Sequence, residues 1–335
     1  MDILIATGVY PPESGGPATY TKLLEDRLPG LGFKVTVLPF RVVRHLPPGI
    51  RHIAYFFKLL RLSRGVRLIY AQDPVSVGLP AALAAFVARK RFMVRLGGDY
   101  AWEQARQRFG VTDELDDFQT KRYGLGVGLL RAVQRFVVRR AQAVVVPSEY
   151  MKRIVGAWIS NPEKVHRIYS SIHLPPPTEL PTDRPEGFLV LSFGRRVPWK
   201  GFEALERVSA GEPWALKIFS DLPYPSAMGW LKSADVYVNN STYEGLSHQL
   251  VEAFALGTPV IATNVGGNPE LVDNETGILI PPKDDDALRD AIRSVQADPE
   301  AAKARTARAQ EKAKEFSIGA TVGQVVSLIK NVCAS

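Results

Sequence analysis

Cysteine is almost absent from this chain of 335 residues, which contains only Cys333. A disulfide framework and a cysteine-based zinc site are therefore excluded. Residues 1–5 lack the basic flank and long apolar run of a signal peptide. The most apolar stretch, 74–88, contains Pro80 and is too short to cross a bilayer. We expect a cytoplasmic protein without a transmembrane helix.

A dinucleotide-binding fingerprint is also missing. No G-x-G-x-x-G motif follows a predicted strand, and the glycine-rich stretch 124–128 follows no strand at all. A nicotinamide-dependent dehydrogenase is thereby disfavoured, because that fingerprint positions the pyrophosphate of the cofactor.

Acidic residues are scarce in the first half of the chain. Residues 1–173 hold 26 Lys and Arg against 13 Asp and Glu, a charge of +13, and the remainder holds 16 against 21. The two halves sum to the net charge of +8. An anionic partner is expected to meet the first half: a membrane surface, a nucleic acid or a phosphorylated substrate.

The chain divides at a proline-rich linker. Residues 174–187 hold five prolines, which exclude a helix or a central strand. Six short apolar runs precede the linker and five follow it, with amphipathic stretches between them. Buried parallel strands joined by helical crossovers give this pattern, so we predict two doubly wound α/β domains. We assign 1–173 and 188–316 to these domains and 317–335 to a terminal helix crossing back to the first.

Two loops between a strand and a helix have the composition of anion-binding turns. Gly15 and Gly16 lead directly into a predicted helix, so that bare backbone amides can approach a phosphate or a sugar. Arg195, Arg196 and Lys200 lie in the segment 194–203 beside a helix N-terminus, where cations attract an anion. A flexible glycine loop and a solvated basic loop are the structural alternatives.

Two glutamates eight residues apart form the strongest motif. Ser247 is a good N-cap and Gly257 a good C-cap, which places Glu244 in the preceding loop and Glu252 inside the helix. A carboxylate on an apolar helix face is costly without a partner, so we expect Glu252 to accept ligand hydroxyls. Eight helical residues span ~12 Å, whereas a retaining glycosidase pair is ~5 Å apart. We therefore predict that the glutamates hold two ends of one elongated ligand.

Together these motifs resemble glycosyltransferase family 4, retaining enzymes of the GT-B fold. The resemblance rests on the Glu-x7-Glu motif of Glu244 and Glu252, the Gly-Arg-x4-Lys-Gly turn of 194–201 and the N-terminal Gly-Gly loop. The segments PVIATNVGG (259–267) and TGILIPP (276–282) continue the family pattern. The resemblance covers most of the chain and implies two Rossmann-like domains facing each other across a cleft.

The same resemblance implies a site for a nucleotide-activated sugar. Arg195 and Lys200 would bind the donor diphosphate and stabilise its charge as the glycosidic bond breaks. Glu244 would face the donor sugar, and Glu252 would accept the ribose hydroxyls. The donor-binding residues it implies are Gly15, Gly16, Arg195, Lys200, Glu244, Gly245, Leu246, Ser247, His248 and Glu252. It implies no metal site and no cofactor.

Two departures from the family pattern affect this prediction. Family members often carry a histidine after the fourth strand, whereas this chain reads Leu96-Gly97-Gly98-Asp99 there. Asp99 is the nearest candidate for contacting donor sugar or acceptor, with a turn-forming Asp as the alternative. Trp214–Asp221 also runs almost directly into Pro223-Tyr224-Pro225, where the family has a further helix and strand. We therefore expect a shortened second domain.

The basic first half indicates the acceptor side. From Arg41 to Arg67 there are seven Lys and Arg and no acid, on an apolar pattern typical of membrane-surface helices, and 131–140 adds further arginines. A solvated basic helix face is the alternative. We predict transfer to a lipid-linked or membrane-proximal glycan at an anionic membrane, without nucleic acid. The rival functions are a non-catalytic nucleotide-sugar or glycan-binding protein and a basic nucleic-acid-binding protein.

Overall fold

The structure is a computed structural model that describes residues 1–13, 15–172 and 180–334. The chain divides into two compact units, the first formed by Met1–Ser170 with Gly319–Ser335 and the second by Ser171–Ile318. The predicted linker 174–187 lies partly outside the described residues. Each unit is an α/β layer structure with its own parallel sheet.

Strands and helices alternate through the first unit. They are β1 (Asp2–Thr7), α1 (Gly16–Arg27), β2 (Lys34–Pro39), α2 (Ile50–Leu62), β3 (Leu68–Ala71), α3 (Gly78–Val87), β4 (Arg91–Arg95), α4 (Tyr100–Arg108), α5 (Leu115–Thr120), α6 (Leu125–Arg140), β5 (Ala143–Val146), α7 (Glu149–Gly156) and β6 (Val165–Arg167). The strand order is β2-β1-β3-β4-β5-β6, and every pairing is parallel. β3 and β5 are buried along their whole length, because helices cover both faces of such a sheet.

The second unit repeats the pattern with fewer strands. Its elements are β7 (Leu189–Phe193), α8 (Phe202–Ser209), β8 (Ala215–Phe219), α9 (Tyr224–Ser233), β9 (Val236–Asn239), α10 (His248–Leu256), β10 (Val260–Thr263), α11 (Asn268–Leu271), β11 (Ile278–Ile280), α12 (Asp285–Ala297) and α13 (Pro299–Ala313); the chain ends with α14 (Ile318–Ala334). The parallel strand order is β11-β10-β9-β7-β8. One face of this sheet packs on α8 and α12 through Leu205, Leu288 and Ile292, all fully buried.

In both sheets the direction in which strands are added reverses next to the first strand. The reversal lies between β1 and β3 in the first unit and between β7 and β9 in the second. Ligands of doubly wound sheets bind beyond the carboxyl ends of the strands at this position. The fold therefore points to the loops after β7 and β9 in the second unit.

The predicted fold class is confirmed, with two doubly wound parallel sheets of six and five strands among the described residues. The sequence predicts strands at 2–7, 34–39, 68–71, 92–96, 143–147, 165–169, 188–193, 215–219, 236–239, 259–262 and 277–280. The observed strand ends differ from these by at most two residues. Four helices begin one to four residues earlier than predicted: α1 at Gly16 instead of 19, α3 at Gly78 instead of 80, α6 at Leu125 instead of 129 and α12 at Asp285 instead of 286. In α1 the early start is physically reasonable, because Pro17 occupies the first turn, where no backbone N–H is needed.

The second unit is shortened after β8. Only residues 220–223 separate Phe219 from α9, and β8 is the edge strand of its sheet. No further helix and strand intervene there. The short connection places α9 directly beside α10, against which it packs.

One helical stretch among the described residues, Pro299–Ala334, is long and apolar enough by composition to cross a membrane. A 3-10 turn (Lys314–Phe316) and the extended residue Ser317 divide it into α13 and α14. α14 buries Val325, Ile329 and further apolar residues in the protein. Packing inside the protein thus accounts for part of the apolar composition of this stretch, since 39% of its most apolar window is buried.

Candidate functional site

The loops after β7 and β9 are joined by close backbone contacts. Gly201 has a left-handed backbone (φ 65°), and a Cβ there would lie 2.1 Å from the carbonyl oxygen of Asn240. The backbone N–H of Thr242 donates to the carbonyl of Trp199 at 2.8 Å. Only glycine fits at position 201, so this loop contact requires the glycine that follows Lys200 in the motif.

Lys200 reaches across this contact to Glu244. Its Nζ donates to Glu244 Oε1 at 2.5 Å, and the two side chains are only 15% and 12% exposed. Ser241 Oγ and Asn239 Nδ2 donate to the same oxygen at 2.8 and 3.2 Å. All three donors meet Oε1, which leaves Oε2 without a hydrogen-bond partner among the described residues.

The environment of Glu244 keeps it ionised. Burial raises the pKa of this carboxyl, but the charge of Lys200 and the hydrogen bonds from Lys200, Ser241 and Asn239 outweigh burial and lower it. The site therefore contains a desolvated ion pair whose members are both able to contact a ligand.

Glu244 and Gly245 are held from the other side by the turn after β10. Cβ atoms added at Gly266 and Gly267 would lie 1.9 and 2.4 Å from the carbonyl oxygens of Glu244 and Gly245. The backbone N–H of Gly267 donates to the Glu244 carbonyl at 3.0 Å. This close approach explains why the segment 259–267 ends in two glycines.

The helix that follows begins as predicted. Ser247 is the N-cap of α10, and its side chain accepts a hydrogen bond from the backbone N–H of Leu250. Gly257 ends the helix in the left-handed region, at φ 78°. His248 is the first helical residue, so the loop residues Gly245–Ser247 lie at the positive end of the α10 dipole.

Glu252 lies inside α10 and is 8% exposed. The Tyr224 hydroxyl donates to its Oε1 at 2.9 Å. Burial raises the pKa of Glu252 to about 7, against the lowering effect of that hydrogen bond. A buried carboxyl with one donor is costly in its ionised form, so Glu252 is suited to accept further hydroxyl groups.

Tyr237 connects the two carboxylates electrostatically. This fully buried residue of β9 has a pKa far above its ordinary value, raised by burial and by the negative charges of both Glu244 and Glu252. Both carboxylates therefore influence the ionisation of the same buried tyrosine.

The structure thus brings most of the predicted second-unit residues together. Lys200, Glu244 and the loop 245–247 form one cluster, and Glu252 lies one helix turn farther on. Arg195 immediately follows Gly194 after β7 and is exposed; its side chain makes no hydrogen bond or ion pair within the described parts of the chain. Its neighbour Arg196 pairs with Glu206 at 3.1 Å.

Asp99, the predicted substitute for the missing histidine, is fully buried in the first unit. It is the N-cap of α4, and its Oδ1 accepts hydrogen bonds from Trp102 N and Gln134 Nε2. Its Oδ2 accepts from Gln119 Nε2. Both oxygens are used to hold helices, so the geometry favours the structural interpretation of Asp99 over a catalytic one.

Gly15 and Gly16 also lie in the first unit. Gly15 is the N-cap of α1, with φ 137°, and its carbonyl accepts from the backbone N–H groups of Ala18 and Thr19. The turn therefore has the predicted bare backbone before a helix. A contribution of these glycines to donor binding remains a prediction.

Sequence reasoning missed four polar residues of the second-unit site: Tyr224, Tyr237, Asn239 and Ser241. Asn239 and Ser241 could have been found from the sequence, because they are polar residues at the point where a buried strand ends and the Glu244 loop begins. Tyr224 is found only through the tertiary structure, because the shortened connection after β8 brings α9 to α10.

Two family models together match about four fifths of the chain. The model described as "Glycosyl transferase 4-like domain" matches residues 2–170, and "Glycosyl transferases group 1" matches residues 216–314.

Curated relatives align over about a third of the chain. A glycogen synthase from Mycobacterium tuberculosis is 36% identical over 99 residues, which is 29% of this chain and 24% of the relative. A D-inositol 3-phosphate glycosyltransferase from Saccharomonospora viridis is 34% identical over 105 residues, covering 31% and 24%. The lipopolysaccharide core biosynthesis glycosyltransferase LpsE of Rhizobium meliloti is 30% identical over 145 residues, covering 36% and 42%. The chain thus matches well under half the length of these relatives.

Solved structures show the same fold over the full length. Sucrose-phosphate synthase from Thermosynechococcus elongatus superposes with a TM-score of 0.80 at 19% identity and full coverage of both chains. Anabaena HepE in complex with UDP-glucose superposes with a TM-score of 0.77 at 19% identity, covering 99% and 100%. With the family models and the two doubly wound sheets, these matches show that the chain belongs to the GT4-type glycosyltransferases of the GT-B fold.

Proposed function

We propose that this protein transfers a sugar from a nucleotide-activated donor to a hydroxyl group of an acceptor glycan, with retention of anomeric configuration and without a metal ion. The observation that carries the proposal is the cluster of Lys200 and Glu244 at the strand-order reversal of the second sheet, with Glu252 farther along the same helix. In this proposal the diphosphate of the ligand lies at Lys200 and its ribose at Glu252.

The ion pair provides a cation, Lys200, that can exchange its partner Glu244 for a bound diphosphate. Lys200 is held by Glu244 through an oxygen that two neutral donors also reach. A donor diphosphate attracts Lys200 and the exposed Arg195, and the loop amides of 245–247 add the positive end of α10. Glu244 retains Asn239 and Ser241 as partners, so its carboxylate stays ordered toward the donor sugar.

The chemistry proposed is a substitution on one face of the sugar. The bond between the anomeric carbon and the diphosphate oxygen breaks, and its electron pair goes to the diphosphate, which Arg195 and Lys200 stabilise. The acceptor hydroxyl then forms the new bond from the same face, and its proton passes to the departing phosphate oxygen. Glu252 accepts the ribose hydroxyls and anchors the nucleoside end.

A transfer assay tests the proposal. The purified chain is screened for thermal stabilisation by UDP, GDP and ADP sugars, and the stabilising donor is then assayed for hydrolysis and for transfer to glycan acceptors. We expect turnover that Glu244→Ala reduces more than it reduces donor binding. Stabilisation without any turnover would instead support a non-catalytic nucleotide-sugar-binding protein. Unaltered donor affinity in both Lys200→Ala and Glu252→Ala would refute the site.

The acceptor we propose is lipid-linked or membrane-proximal. On α2 the apolar side chains of Ile50, Ile53 and Phe57 are 54–60% exposed, next to the exposed cations Lys58 and Arg61. α2 packs against α3, and α3 against α6. These neighbours expose Leu83, Phe86, Val87, Leu125 and Leu129. Exposed apolar residues mixed with cations favour the interface of an anionic membrane.

Vesicle flotation tests the membrane proposal. We expect co-flotation with vesicles containing anionic lipid and little with neutral ones, and we expect a paired Ile53→Glu, Phe57→Glu variant to lose it. Lys303→Glu, a charge reversal in the second unit, is the matched control and should float like the wild type. Equal flotation with neutral and anionic vesicles would refute an electrostatic contribution.

A further inference from the structure

A buried cation without a carboxylate partner lies at the carboxyl edge of the first sheet. Arg95, the last residue of β4, is 3% exposed. Its Nη2 donates to Ser170 Oγ at 2.7 Å, and its guanidinium lies 4.1 Å from the centre of the Tyr20 ring. No Asp or Glu of the described residues pairs with it, and its buried Nε has no hydrogen-bond partner. Burying an unpaired charge is expensive and calls for a compensating group.

An equally buried amide lies next to Arg95. Gln72 follows β3 as Arg95 ends β4, and the register that pairs Ala71 with Val94 makes Gln72 and Arg95 the next pair. Gln72 is 2% exposed, and neither its side-chain oxygen nor its nitrogen has a partner at hydrogen-bond geometry, although Tyr70 lies nearby. Two buried polar side chains with atoms that lack hydrogen-bond partners, Gln72 and Arg95, therefore lie at the ends of adjacent strands.

The acidic residue beside Gln72 in the chain does not neutralise the charge of Arg95. Asp73 follows Gln72, but its Oδ1 accepts from the backbone N–H groups of Val75 and Val77. Its other oxygen faces Gly8, where an added Cβ would lie 2.9 Å away. Asp73 thus serves the turn after β3 and leaves the charge of Arg95 uncompensated.

The unused groups are mostly donors. Arg95 offers Nε–H and Nη1–H, Gln72 offers an amide N–H, and the Ser170 hydroxyl is free to donate because its oxygen already accepts from Arg95. Nη1 lies 3.8 Å from the position of a Cβ on the exposed residue Gly97, so no side chain at position 97 covers this end of the guanidinium. A donor-rich, positively charged cluster of this kind matches an oxyanion.

We propose that Arg95, Gln72 and Ser170 form a binding site for a phosphate or carboxylate group, which the acceptor substrate carries. The role for the acceptor rests on the proposed sugar transfer, but anion binding itself does not. The site lies entirely in the first unit, whereas Lys200 and Arg195 belong to the second, so the two anion sites can be disabled separately.

The test measures binding of inorganic phosphate by calorimetry to the full-length wild type, Arg95→Met and Arg91→Met. Arg91 is the matched control, since it lies at the opposite end of the same strand. We expect Arg95→Met to weaken phosphate binding at least tenfold and Arg91→Met to leave it unchanged. Gly97→Val, which narrows the approach to Nη1, should weaken it as well.

Thermal unfolding separates this role from a structural one. Methionine removes the unpaired charge but can keep the contact with the Tyr20 ring, so without added anion Arg95→Met should melt at or above the wild-type temperature. Phosphate should raise the melting temperature of the wild type more than that of Arg95→Met, which keeps only the anion site at Lys200. A lower melting temperature with unchanged phosphate binding, or loss of binding only in Lys200→Ala, would overturn the proposal.

Further ligands distinguish the sources of the anion. Methyl phosphate against acetate separates phosphorylated from carboxylated acceptors. Glycerol 3-phosphate against vesicles containing phosphatidic acid separates a free acceptor from a lipid headgroup. A ligand that binds the wild type but not Arg95→Met identifies the class of acceptor. If phosphate binds here while no sugar is transferred, the site stands and the proposed function fails.

Discussion

Replacing Lys200 with methionine should destabilise the second unit strongly. The substitution leaves Glu244 buried with only two neutral donors, Asn239 and Ser241. Breaking a buried ion pair by removing one partner costs about 3–5 kcal/mol. Because the side chains are 15% and 12% exposed, we take the lower end, about 3 kcal/mol. For a unit of this size that corresponds to a melting temperature lower by roughly 6–12 °C.

The same substitution should reverse the effect of pH. In the wild type the pKa of Glu244 is lowered, so its pairing contributes stability above the unfolded pKa, and this is lost as pH falls through the folded value. Without Lys200, burial dominates and the pKa of Glu244 rises above its unfolded value. The variant should then lose stability at Glu244 as pH rises, in addition to the loss at Glu252 that it shares with the wild type.

Denaturant unfolding at several pH values between 4 and 8 measures both effects. Arg196→Met is the control, because Arg196 and Glu206 form an exposed pair whose loss costs at most about 1 kcal/mol. Adding Glu244→Gln to Lys200→Met should recover most of the lost stability, since no buried charge remains unpaired. Equal stability of Lys200→Met and the wild type at pH 8 would refute the buried-pair reasoning.

Three further predictions concern the same site. The pKa of Glu252 is raised to about 7, so between ~4.5 and 7 the folded protein holds a proton that the unfolded chain has released. The free energy of unfolding should therefore fall by about 3 kcal/mol as pH rises from ~4.5 through 7. Glu252→Gln should abolish this fall in unfolding titrations. Tyr224→Phe should raise the KM for the donor several-fold with little change in kcat, whereas Tyr224 as a mere packing residue predicts no change in either. Gly266→Ala should distort the Glu244 loop, because its Cβ would meet the Glu244 carbonyl; kinetics and unfolding should both suffer, and wild-type behaviour would contradict the contact.

The sequence predicts the strands and several of the helices, and it places Lys200 and Glu244 in loops that the structure brings together. Strands such as β1 and β3 are short, β-rich and buried on both faces, so their hydrophobic pattern is continuous and their ends are marked by polar or glycine residues. The start of α10 was predictable because the N-cap Ser247 and the C-cap Gly257 are local signals. A structural feature can be predicted from the sequence where the residues that determine it lie within a few positions of one another.

Asp99 shows where local chemistry fails. From the sequence, its position after a strand is equally compatible with a ligand contact and with a turn. Gln119 and Gln134 decide the question, and they lie 20 and 35 residues away on other helices. Long-range hydrogen bonds of this kind carry no local signal, so the role of a buried polar residue must be taken from its partners in the fold.

Arg95 and Lys200 are both buried cations, but they differ in whether an acidic side chain of the protein neutralises them. Lys200 is neutralised by Glu244 within its own unit, so the ligand-free site is stable and a diphosphate must compete with an internal anion. Arg95 has no such anion, so the ligand-free protein bears the cost of a buried charge that a bound oxyanion would offset. Removing the charge should therefore destabilise the protein at position 200 and spare or stabilise it at position 95. We expect unfolding measurements on the two variants side by side to give stability changes of opposite sign, with Lys200→Met less stable than the wild type and Arg95→Met at least as stable.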